Sequence, residues 1–174
     1  MSPQLYWIDG PWPGELAIAS RPRGGEWLED EVRSWRQSGL DVVVSLLTPE
    51  EVADFDLGRE EEWCRLHSVQ FFSFPIPDRG VPESRQACLA LVQQLDQGLA
   101  EGKRIAMHCR QAIGRSALLA ACLLVASGEN PELAFQRISN IRGTSVPETD
   151  EQREWIRASA RALSVLPPHR SRRL

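Results

Sequence analysis

The chain has 174 residues, 42% of them hydrophobic and 25% charged, with a formal net charge of −4, the make-up of an ordinary globular domain able to bury a core. A mildly acidic balance gives no bulk attraction to nucleic acid or to an anionic membrane surface. No apolar run approaches the roughly 20 residues of a membrane span, the opening MSPQLYWIDG has no signal-peptide pattern, and four cysteines without a CxxC pair read as free thiols of a reducing cytoplasm.

In chain order, residues 5–8 and 15–19 read as short strands around a Gly-Pro-rich turn. Residues 26–38 have helical periodicity, with Trp27, Leu28, Val32 and Trp35 on one side and Gly39 placed to end the helix. The run LDVVVSLL (40–47) is β-branched and continuous, so it reads as a strand buried on both faces. It stops at Thr48-Pro49-Glu50-Glu51, a capping box with Pro at the first helical position. A helix near 59–67 leads into a second apolar strand, VQFFSF (69–74). The segment PIPDRGVP (75–82) cannot extend it, because three prolines and a glycine force a loop.

A long helix follows near 83–100, then the strand RIAMHC (104–109) and an apolar helix over 115–128. Asn130-Pro131 opens another helix to about residue 142, and Thr149-Asp150-Glu151-Gln152 caps the last. Strands alternating with helices predict an α/β fold with a largely parallel central sheet flanked by helices.

The stretch that carries chemistry is RIAMHCRQAIGRSALLAACLLV, which reads as strand, tight loop and apolar helix. In such a unit the loop amides and the positive end of the helix form a cradle for an anion at the carboxyl edge of the sheet. Cys109 stands at the end of the strand and Arg115 at the start of the helix. Arg presents a planar fork that matches two phosphate oxygens, and the same field favours a thiolate. A thiolate facing a bound phosphate is a nucleophile facing its electrophile. Cys-x5-Arg alone is weak, since roughly 0.4 matches arise by chance at this composition. The flanking strand, the apolar helix and the residues His108, Gly114 and Ser116 make it specific.

At His108, Cys109, Ile113, Gly114, Arg115 and Ser116 the chain matches the pattern His-Cys-x5-Arg-Ser/Thr, and there it resembles the protein tyrosine and dual-specificity phosphatases. One position departs: the family usually has Gly three residues after the Cys, and this chain has Ala112, which is strained by about 1 kcal/mol if the loop needs φ > 0. The family also keeps an acid on a mobile loop some 30 residues before the Cys. Asp78, in PIPDRGVP, lies 31 positions before Cys109. That segment resembles the Pro-Ile-x-Asp-x-Gly-x-Pro loop of the kinase-associated phosphatases.

The resemblance implies one phosphatase catalytic domain over 1–166 and a flexible basic tail over 167–174. It implies that Cys109 attacks phosphorus and that Asp78 protonates the leaving oxygen, then deprotonates water. Arg115 and the backbone of Arg110, Gln111, Ala112, Ile113, Gly114 and Arg115 would hold the phosphate oxygens. Ser116 would donate to the sulfur, and His108 would order the loop and help set the thiol's acidity. Gln152 resembles a water-positioning glutamine of the tyrosine-specific branch, although its place in a capping box is the simpler reading. No metal or other cofactor is implied, and His67 and His169 form no ligand cluster with the site.

Each residue also has a plainer reading. Cys109 could be a buried structural thiol, and Asp78 a turn residue, since Pro-Asp-x-Gly turns by itself. Arg79 and Arg110 either favour acidic substrates or are solvated surface. Glu51 follows a strand near the pocket, but its capping role suffices to explain it. The six Trp read as packing anchors. The expected partner is a phosphorylated protein or peptide, dephosphorylated at phosphotyrosine or phosphoserine/threonine in the cytoplasm. The alternatives are a phosphatase of small or lipid phosphoesters, a weakly active phospho-binding module, and a rhodanese-like sulfurtransferase, which needs no acid such as Asp78. Neither the oligomeric state nor the balance between phosphoamino acids follows from the sequence.

Overall fold

A computed structural model describes residues 3–167; the basic tail expected over 167–174 lies outside them apart from Pro167. Five strands form one sheet: β1 (Leu5–Ile8), β2 (Glu15–Ser20), β3 (Val42–Ser45), β4 (Gln70–Ser73) and β5 (Arg104–Cys109). Their spatial order is β1-β2-β5-β3-β4. Only β1 and β2 pair antiparallel, and the other three pairings are parallel.

Seven helices cover both faces: α1 (Leu28–Gln37), α2 (Pro49–Asp54), α3 (Glu60–Leu66), α4 (Arg85–Ala100), α5 (Arg115–Ala126), α6 (Pro131–Arg142) and α7 (Asp150–Ser164). Every residue of β3 is buried, as a parallel strand covered on both faces requires. Helix α5 is buried along nearly its whole length, which explains a sequence that is apolar all round rather than on one stripe. The capping boxes at Thr48 and Thr149 are both formed, and Gly39 takes a positive φ of 92° past the end of α1.

Differences from the expected elements have local causes. Trp27 does not join the apolar side of α1: residues 25–27 form a 3-10 turn, and Trp27 stays exposed with the Arg23 guanidinium stacked 4.8 Å from its ring. The strand read at 40–47 is regular only over Val42–Ser45, although Leu40, Leu46 and Leu47 remain fully buried beside it. Helix α5 ends at Ala126, two residues early, with Gly128 at φ 109° beyond it.

Strand alternation places the chemistry. Along β5, Ile105, Met107 and Cys109 join the core under α4 and α5, while Ala106 lies on the face of α1 and α3. Ser20 is in register with Cys109, and Ser45 with His108. The central strand therefore ends at the carboxyl edge of the sheet, where open α/β folds bind their ligands.

Candidate active site

Cys109 is buried at the base of a cavity of about 150 Å³ that Asp78, Arg110, Gly114, Arg115 and Glu148 help to line. Its sulfur lies 3.1 Å from the Ser116 hydroxyl, at the buried start of α5. The other three cysteines are also free and buried, but none lines this cavity. Burial, with the charges of Glu60 and Glu61, pushes the Cys64 thiol well up. A hydrogen bond with Cys88, together with burial, does the same for Cys122. Structural thiols of that kind stay protonated and inert.

The loop after Cys109 has φ 58° at Ala112, whose methyl is fully buried. The expected strain is thus present, and the surrounding core holds it. Arg142 donates from Nε to the Ala112 carbonyl at 2.9 Å and from Nη2 to the Gln111 carbonyl at 3.3 Å. This one side chain therefore pairs with two successive loop carbonyls. At Gly114 an added Cβ would come within 2.7 Å of a Glu148 carboxylate oxygen, so a larger residue there would have to displace that side chain.

Arg115 is 2% exposed and is held from three directions. Nη1 donates to Glu51 Oε2 at 2.7 Å and to the Ile76 carbonyl at 2.9 Å; Nη2 donates to Glu51 Oε1 at 2.9 Å and to Asp78 Oδ1 at 3.2 Å. Burial pulls the guanidinium down, yet the Glu51 hydrogen bond and the charges of Cys109, Glu51 and Asp78 hold it above its ordinary value. Burial pushes the Glu51 carboxyl up, but hydrogen bonds from Arg115 and the Thr48 amide, with the charges of Arg115 and Arg110, leave it lowered. A bidentate pair of this kind fixes the plane of the guanidinium. The capping role of Glu51 is therefore only half of its work: Oε2 accepts from the Thr48 amide at 2.9 Å and from Arg115 at the same time.

Asp78 sits in the turn closed by the Gly80 amide donating to the Pro77 carbonyl at 2.8 Å, with Arg79 at φ 60°. It is both a turn residue and a site residue, half-exposed at the cavity, 3.2 Å from Arg115 and 3.5 Å from Arg110. Two further contacts tie this loop to Glu148 and to the first turn of α7. Arg79 pairs with Glu148 at 3.3 Å, and Gln152 Nε2 donates to the Gly80 carbonyl at 3.0 Å. Gln152 also completes the cap with its Oε1 on the Thr149 amide. Its side chain is buried and links the cap to the acid loop.

Glu60 was missed as a site residue in the reading of the sequence. It opens α3 fully buried, with Oε1 2.6 Å from His108 Nε2. His108 follows from strand alternation: as the neighbour of Cys109 it points to the opposite face, where α3 and the Trp35 ring meet it. The signal available was the pairing of Glu60 with the apolar Cys64 four residues on, which puts one of three consecutive glutamates on the inner face.

Comparison with known proteins bears on the family and the fold. The model of the Swiss Army Knife DSP-PTPase phosphatase domain family matches residues 3–165. Cyclin-dependent kinase inhibitor 3 from Homo sapiens is 31% identical over 131 residues, 74% of this chain and 61% of that protein. Putative tyrosine phosphatase 197R of Invertebrate iridescent virus 6 is 26% identical over 158 residues, 87% of this chain and 54% of that one. The chain thus spans about three-fifths of the length of the first curated relatives.

Among solved structures, kinase-associated phosphatase with its catalytic-site cysteine replaced by serine superposes with a TM-score of 0.86 at 18% identity, over 96% of this chain and 99% of that one. Tk-PTP in its active form gives 0.75 at 26% identity, over 92% and 99%. The chain belongs to the dual-specificity phosphatase-like family of protein tyrosine phosphatases.

Proposed function

We propose that the chain is a phosphomonoesterase that dephosphorylates phosphotyrosine, and phosphoserine or phosphothreonine, in proteins through a phosphocysteine intermediate. The observation that carries this reading is the convergence of Cys109 Sγ, the fixed Arg115 fork and the Asp78 carboxyl on one cavity. In the first step the Cys109 thiolate attacks phosphorus. The S–P bond forms as the ester P–O bond breaks, and Asp78 gives its proton to the departing oxygen. Arg115 and the loop amides stabilise the charge spread over the equatorial oxygens. In the second step the Asp78 carboxylate takes a proton from water as that water attacks phosphorus. The S–P bond breaks, phosphate leaves, and the Ser116 hydroxyl donates to the returning thiolate. The chemistry works in the reducing cytoplasm expected for free thiols.

Cys109→Ser should lower hydrolysis of p-nitrophenyl phosphate by about 10³-fold or more while phosphate still binds, because the cradle is built from backbone and Arg115. A variant that keeps more than about one percent of turnover would assign the nucleophile elsewhere.

A further inference from the structure

The cavity has a neighbour that the catalytic steps do not use. Beyond the end of β2, the Arg21 amide donates to the Arg110 carbonyl at 3.5 Å, so the two arginines stand side by side on adjacent strands. Their guanidiniums share one aromatic ring: that of Arg21 lies 3.9 Å from the Phe55 centroid and that of Arg110 lies 5.1 Å from it. Phe55 is the residue that ends α2, the short helix whose first turn carries Glu51. One helix therefore orients Arg115 at one end and gathers two more cations at the other.

Most of the described arginines are charge-paired, and Arg21, like Arg142 on the other side of the loop, is not. Arg33, Arg36, Arg59, Arg104, Arg153 and Arg157 each close onto a carboxylate. Arg21 has no carboxylate partner among the described residues, and its guanidinium donates instead to the Pro22 carbonyl at 3.2 Å. The acidic residues on either side of Phe55, Asp54 and Asp56, are exposed and form no ion pair with it. Arg110 reaches only Asp78, at 3.5 Å and half-exposed. Two cations gathered at one ring repel each other, and an anion bound beside them offsets that repulsion.

We propose that Arg21, Phe55 and Arg110 form a second anion subsite beside the catalytic cradle, which takes the carboxylate or phosphate of a side chain next to the phosphorylated residue of a peptide substrate. The proposal rests on the phosphatase reading above and deepens it to a substrate class: phosphopeptides with an acidic neighbour. The spacing favours a peptide. Adjacent strands lie roughly 4.8 Å apart and successive residues of an extended chain roughly 3.3 Å apart, so the side chain next to a phosphoresidue in the cradle has the reach to meet this pair. Arg at both positions supplies a fork for either oxyanion.

The test measures binding to Cys109→Ser protein of phosphotyrosine peptides that differ only in Glu or Gln at the −1 or +1 position. One acidic peptide should bind about 5- to 10-fold more tightly than its Gln twin at low salt. The preference should fall to within about 2-fold in Arg21→Gln and in Phe55→Leu, which keeps an apolar side chain but removes the ring. In the active chain Arg21→Gln should leave turnover of p-nitrophenyl phosphate within about 2-fold, which separates the subsite from the cradle. Equal affinities for the twins, a preference that survives Arg21→Gln, or binding of neither peptide would each overturn the proposal. So would Arg21-dependent binding of an inositol bisphosphate with no gain for the acidic peptides. If the acidic peptide binds through Arg21 but the active chain leaves it intact, the phosphatase reading fails and the subsite stands. If both twins are hydrolysed and bound alike, the phosphatase reading stands and the subsite fails.

Discussion

The two halves of the site are held in place by different physics. On the floor, Arg115 and Glu51 form a bidentate pair and His108 and Glu60 a second pair, all four side chains nearly or fully buried. On the rim, Asp78, Arg79 and Arg110 are about half or more exposed and make longer contacts, at 3.2 to 3.5 Å. Buried pairs are strong when intact and costly when broken, whereas exposed pairs contribute little and exchange readily. The floor is thus held rigidly, and the loop that carries Asp78 is free to adjust. In the structure Asp78 already touches Arg115, so under the proposed mechanism phosphate would compete with Asp78 for the same fork.

That contrast can be broken at four points, in descending size. Arg115→Lys keeps the charge but loses the planar fork, and kcat/KM should fall by about 10³-fold. A loss below about 10-fold would mean that a point charge suffices. Glu51→Gln leaves the buried guanidinium without its counter-ion and should cost about 3 kcal/mol, read from the shift in denaturant midpoint. Because the Glu51 carboxyl is lowered in the fold, its stabilisation is complete above the ordinary glutamate value of 4.5 and is lost as the pH falls below it. The gap between the parent chain and Glu51→Gln should therefore narrow on acidification; a gap that widened would reverse the assignment.

Asp78→Asn should slow poor leaving groups such as phosphothreonine peptides by about 10²-fold, and activated aryl esters much less, since a good leaving group departs without a proton. Equal slowing of both would make Asp78 a positioner only. Arg79→Ala, which removes the exposed pair with Glu148, should change stability by no more than about 0.5 kcal/mol. If it matched Glu51→Gln, the division into floor and rim would be lost.

Much of this was legible from local pattern. The order of strands and helices follows from periodicity and from the caps at Thr48, Thr149 and Asn130. The cradle follows from a strand, a loop and an apolar helix written contiguously around Cys109 and Arg115. Even the positive φ at Ala112 was foreseeable from the residue that stands where glycine is usual. The partners from elsewhere in the chain were not legible. Glu51 meets Arg115 across 64 positions, Glu60 meets His108 across 48, and Arg142 meets Ala112 across 30. Each of these side chains has an adequate local role in cap, first turn or last turn. Only the sheet order, with β5 threaded between β2 and β3, decides which of them is turned to the site. Trp27 shows the same limit from the other side, since its periodicity is right and a 3-10 turn carries it into solvent.

The proposed covalent intermediate on Cys109 is the step on which the mechanism most directly depends. Asp78→Asn lacks the base that activates water, so with an activated aryl phosphate it should form phosphocysteine faster than it releases it. Acid quench after a single turnover, followed by mass spectrometry, should find one phosphoryl group on the peptide that contains Cys109, and none in the double variant with Cys109→Ser. Phosphate released with no labelled Cys109, or a label on any other residue, would contradict the mechanism.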